Sequence, residues 1–95
     1  MEYTVLDYKG FEEYLVEESS NTLFGGLHYE FKFPNEYGAS VVKHSTSYGA
    51  NYDLFELAVL DSYGYLCYTT KITDDVLGYL NNNDVLEILE KIMNL

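Results

Sequence analysis

Ninety-five residues make one domain, 1–95, with room for a single core. Sixteen Asp and Glu stand against five Lys and no Arg, for a formal charge of -11. That balance repels nucleic-acid phosphates and anionic lipid and lacks the residue that best clamps phosphate, which argues against direct nucleic-acid binding and against a membrane partner. The natural electrostatic partner is a basic protein surface, although the same acid also keeps a small domain soluble. Hydrophobic residues are 47% of the chain, too many for a disordered segment. Cys67 is the sole cysteine, so neither an intramolecular disulfide nor a thiolate zinc cluster is expected. No signal-peptide pattern opens the chain and no apolar run approaches a membrane span, which leads us to expect a cytoplasmic protein.

Residues 1–6 read as an extended lead-in. Phe11, Tyr14 and Leu15 recur at helical spacing, with Glu12, Glu13 and Glu17 off that stripe, predicting a helix over about 8–19 with Asp7 as its N-cap. Leu27, Tyr29, Phe31 and Phe33 alternate with His28, Glu30 and Lys32, the period of a half-buried strand. Residues 34–38 form a turn, and 39–45 return antiparallel. Pairing residue 33 with 39 sets Phe31 against Val41 and His28 against His44. After a polar loop at 45–51, a third strand at about 52–61 is apolar on both faces, the mark of a strand covered on both sides or by a partner. Asp61-Ser62-Tyr63-Gly64 signals a hairpin into a fourth strand at about 65–70. Thr73 reads as the cap of a short helix over 74–80, with Asp74 and Asp75 in its first turn. Asp84 and Glu87 have capping-box spacing, and Val85, Ile88, Leu89 and Ile92 form the stripe of a last helix. The expected fold is α+β: an N-terminal helix, a four-stranded antiparallel β-meander and two C-terminal helices packed on one sheet face.

Chemistry finds little purchase. His28 and His44, if adjacent, with Glu30, would be a metal set, but no metal-binding motif accompanies them. Cys67 lies within a predicted strand, no nucleophile-elbow pattern surrounds any serine, and there is no phosphate-binding or dinucleotide fingerprint. No catalytic residue, metal or cofactor is expected, and a non-enzymatic role follows by elimination. What remains is interaction surface. Tyr48, Tyr52 and Tyr63 fall in or beside loops, where binding residues concentrate and where Tyr beside acid makes interface material. The predicted first helix, with Glu12, Glu13, Glu17 and Glu18, has the densest acidic face, and Asp74 and Asp75 add acid at a helix start. Tyr48, Tyr52, Tyr63, Glu12, Glu13, Glu17, Asp74 and Asp75 are the candidate partner-binding set.

Tyr37-Gly38-Ala39-Ser40-Val41-Val42, Ser47-Tyr48-Gly49, Phe55-Glu56-Leu57-Ala58-Val59-Leu60 and, most specifically, Ile72-Thr73-Asp74-Asp75-Val76-Leu77-Gly78-Tyr79-Leu80 carry a resemblance. From about Phe33 onward the chain resembles a family of small uncharacterised bacteriophage and prophage proteins. The likeness implies no catalytic residue. It implies a context in which small acidic proteins bind host machinery, some of them blocking defence nucleases by mimicking DNA charge. The expected function is thus a phage-encoded, anti-CRISPR-like inhibitor of a host nucleic-acid enzyme. The alternative is a phage structural or assembly protein, a homodimer through the doubly apolar third strand.

Overall fold

The computed structural model describes residues 3–21, 26–73 and 75–95. Five antiparallel strands lie in simple neighbour order: β1 (Leu15–Asn21), β2 (Gly26–Lys32), β3 (Gly38–Lys43), β4 (Phe55–Leu60) and β5 (Leu77–Leu80). One α-helix, α1 (Asn82–Met93), follows. The class is α+β, but the arrangement differs from the expected one at both ends.

The centre of the sheet follows from alternation. Leu27, Tyr29 and Phe31 of β2, Ala39 and Val41 of β3, and Phe55, Leu57 and Val59 of β4 are buried in one core cluster. Val85, Leu89 and Ile92 of α1 join that cluster from a single helical stripe, so the helix lies on this sheet face. On the opposite face Ala58 and Leu60 of β4 are also covered within the chain, only 8% and 5% exposed. The chain itself thus covers both faces of β4 at these positions.

The β2–β3 register is two residues tighter than expected, with Tyr29 opposite Val41 and Phe31 opposite Ala39. The turn closes earlier, because the Phe33 amide donates to the Tyr37 carbonyl at 2.8 Å. A two-residue slip preserves which side chains face the core, so alternation alone does not distinguish these registers. His28 consequently faces Val42, not His44.

The predicted N-terminal helix is not formed. Gly10 has φ +96°, outside helical space, and a 3-10 turn at Glu12–Tyr14 follows before the chain extends into β1. Phe11 and Tyr14 still face inward, packing on each other and on Phe33 with ring centroids 5.3–6.5 Å apart. The stripe residues Phe11, Tyr14 and Leu15 are partly buried against the core, but not as a helix. Beyond them, Val16, Ser19 and Ser20 are weak helix formers, and pairing with β2 replaces a short helix that would be marginal by itself. Upstream, residues 3–11 lie over the core face as a strap: the buried Leu6 amide donates to the Tyr29 hydroxyl, and Asp7 exchanges two backbone hydrogen bonds with the Asn82 side chain.

The predicted fourth strand at 65–70 reduces to one bridge, Leu60 to Leu66, with the Cys67 amide donating to the Val59 carbonyl. Further along the same edge of β4, β5 takes the place, pairing Phe55 with Leu80 and Leu57 with Leu77. β5 occupies the stretch predicted as a short helix. Gly78 weakens that helix, and pairing to β4 offers more burial than seven isolated helical residues. Thr73 accordingly closes a local turn, its hydroxyl accepting from the Asp75 amide, instead of capping a helix. The cap of α1 is Asn81, three residues before the expected Asp84. Asn81 accepts from the Asp84 amide at 2.8 Å, and Asp84 accepts from the Asn81 amide at 3.0 Å.

Candidate binding surface

The polar loop after β3 is built to hold a shape. Ser47 and His44 exchange hydrogen bonds at 2.9 Å, so the loop turns tightly out of β3. Gly49 has φ +99°, and a short 3-10 segment, Ala50–Tyr52, ends at Asp53 with φ 59°. A β-carbon on Gly49 would sit 2.8 Å from the Tyr79 Cα, and one on Gly78 would sit 2.5 Å from the Tyr48 Cβ. The two glycines thus let the loop lie directly against β5, where the Tyr79 amide donates to the Tyr48 carbonyl at 3.2 Å.

The consequence is an aromatic patch. Tyr48, Tyr52 and Tyr79 line one shallow depression with Ser45, Thr46 and Asn51. Tyr52 is 73% exposed, and Tyr48 and Tyr79 are each 59% exposed. The Tyr52 and Tyr79 rings lie 6.3 Å apart at 43°. Glu56 sits beneath, its carboxylate accepting from the Tyr48 amide at 3.1 Å. Large exposed rings held by backbone packing present contact area at little entropic cost on binding.

Of the eight sequence-predicted residues, the structure brings Tyr48 and Tyr52 together. Tyr63 stands apart, 84% exposed at the tip of the 61–64 turn, where the Asp61 carboxylate accepts from the Tyr63 and Tyr65 amides. It has exposed company of its own in Tyr65, Leu66 and Tyr68. Glu12, Glu13 and Glu17 are all exposed but share no helix face: the first two sit in the 3-10 turn, and Glu17 lies on β1 opposite Glu30. Asp75 is exposed in the loop before β5. Asp74 falls outside the described residues. Tyr79 was missed, because its exposure depends on a left-handed φ of 58° in a stretch read as helix.

The two histidines line another open groove on the outer sheet face, with Ser19, Val42, Ser45 and Thr46. His28 Nε2 lies 3.3 Å from the Ser40 hydroxyl and His44 Nδ1 lies 3.0 Å from the Thr46 hydroxyl. Among the described residues no group of three or more His, Cys, Asp or Glu gathers as a metal site would. No helix among them is long and apolar enough to cross a membrane.

Charge on the described surface is largely unneutralised. The ion pair among the described residues is Lys43 with Asp53, at 2.9 Å, and it places one of the five lysines in the core at 1% exposure. Comparison of the chain with protein-family models, curated proteins and solved structures returns no match.

Proposed function

We propose that this chain acts by binding, occupying a basic surface on a partner protein, and that it is a phage-encoded inhibitor of a host nucleic-acid-processing defence enzyme. The observation that carries the reading is the exposed Tyr48, Tyr52 and Tyr79 patch on a chain with a formal charge of -11. Carboxylates steer the approach to a cationic groove, standing in for nucleic-acid phosphates, and the rings supply desolvated contact once docked. The resemblance over residues 33–95 supports the phage context, and the acidic surface supports the choice of a nucleic-acid enzyme as target.

The test uses a purified defence nuclease of a bacterial host, such as a CRISPR effector, with the chain in titration. Stoichiometric loss of nucleic-acid binding and cleavage is expected. Inhibition should fade as salt approaches about 1 M, where the screening length falls to about 3 Å. A Tyr52→Ser, Tyr79→Ser double variant should bind about tenfold more weakly or worse. Inhibition indifferent to both salt and these substitutions, or no binding to any such enzyme, rejects the reading.

A further inference from the structure

The two edges of the sheet are not alike. β5 is four residues long, it carries the left-handed Tyr79, and the loop at Tyr48 bonds to it from outside. β1 is seven residues long and pairs with β2 on one side; among the described residues, its amides and carbonyls from 16 to 20 meet no further backbone partner. The bulge at Val16 confines irregularity to one end, and the register from Glu17 opposite Glu30 to Ser20 opposite Leu27 is unbroken. An unpaired strand edge of this kind is a template for another strand.

Its charge says which strand. Glu17 and Glu18 are exposed and, as neighbours on a strand, flank the edge on opposite faces. Glu18 is held in place by the Tyr8 hydroxyl at 2.7 Å, and Glu12 and Glu13 precede them in the 3-10 turn. A second copy docking edge to edge would set these carboxylates against their equivalents, which opposes self-pairing. A segment bearing Lys or Arg meets both the open hydrogen bonds and the acid. We propose that β1 is a docking edge that takes an extended, Lys- or Arg-bearing segment of a partner protein as a sixth strand. The proposal rests on the reading of a basic partner and adds where on this chain, and in what backbone form, that partner is held.

Two acetylated heptapeptides of equal charge serve as probes: one alternating Lys with Val, the other alternating Lys with Pro, whose rings remove every second amide and lock φ against a regular ladder. The Lys-Val peptide should bind and slow amide hydrogen exchange at residues 17–20 by about tenfold or more at saturation. The Lys-Pro peptide, and the Lys-Val peptide with a Glu17→Lys, Glu18→Lys variant, should each bind about tenfold more weakly or worse. Equal binding of the two peptides, or no protection at 17–20, overturns the edge proposal while leaving a basic partner to bind elsewhere. Failure of both peptides to bind even at low salt overturns the edge proposal and counts against the basic-partner reading itself. Protection, in the chain alone, of those amides at 17–20 that point away from β2, with a dimer in sedimentation, assigns the edge to a second copy and overturns it as well.

Discussion

Lys43 is the charged side chain in the described core, and its neighbours explain how it can be there. Its ammonium donates to the Thr4 carbonyl and to Asp53 Oδ1, both at 2.9 Å, and sits 3.8 Å from the centre of the Phe55 ring. These contacts join the N-terminal strap, β3 and the loop that carries Tyr52. The Thr4 side-chain hydrogen bond, foremost, and the Lys43 ammonium hold the Asp53 carboxyl down at about 2 against an ordinary 3.8, with partial burial pulling the other way. A carboxyl depressed on folding contributes stability above its unfolded value and loses it as pH falls through the folded one. This contribution should therefore vanish between about pH 3.8 and about pH 2, and an Asp53→Asn variant should show a shallower acid loss across that window. At neutral pH, Asp53→Ala should cost on the order of 1–2 kcal/mol. That is below the 3–5 kcal/mol of a wholly buried pair, because Asp53 is 41% exposed and solvent screens it. Lys43→Met, which removes the buried charge itself, should cost less than Asp53→Ala. Urea midpoints order the three; an Asp53→Ala variant as stable as the parent would refute the role given to the pair.

β5 shows how one element decides a surface. Its four residues replace a longer predicted strand and a predicted helix, and its closeness to the 45–54 loop is what gathers the tyrosines. Gly78 is the point of contact, so Gly78→Ala would drive a methyl into the Tyr48 Cβ and push the loop off the strand. The variant should lose about 1–3 kcal/mol in thermal or urea unfolding, and amide exchange at Tyr79 should rise as its bond to Tyr48 opens. Unchanged exchange there would mean that the loop is held by other contacts. α1 depends less on its surroundings for its start: the reciprocal Asn81–Asp84 cap is local chemistry, with cap and partner three residues apart.

Across the whole molecule, a charge of -11 repels other copies and guards the open β1 edge at neutral pH. As pH falls toward the pI of about 4.2, that repulsion fades and reversible self-association should appear in sedimentation. An equally monomeric protein at both pH values would show that charge is not what keeps copies apart. What the amino-acid sequence determined by itself is whatever a local period or local cap encodes. That covers the alternation of β2, the turn after Phe33, the stripe of Val85, Leu89 and Ile92, the acid excess, and the choice of Tyr48, Tyr52 and Tyr63 as loop residues. Pairing was decided elsewhere. Residues 65–70 and 77–80 divide one edge of β4 between them, and the helical spacing of Phe11, Tyr14 and Leu15 fits a 3-10 turn leading into a strand as well as it fits a helix. Such outcomes depend on which backbone partners and how much apolar contact the other strands offer once they are in place, and no window of neighbouring residues contains that sum. The acidic face followed the same logic: its charge could be counted in the sequence, but only the loss of the first helix moved Glu17 onto an open strand edge.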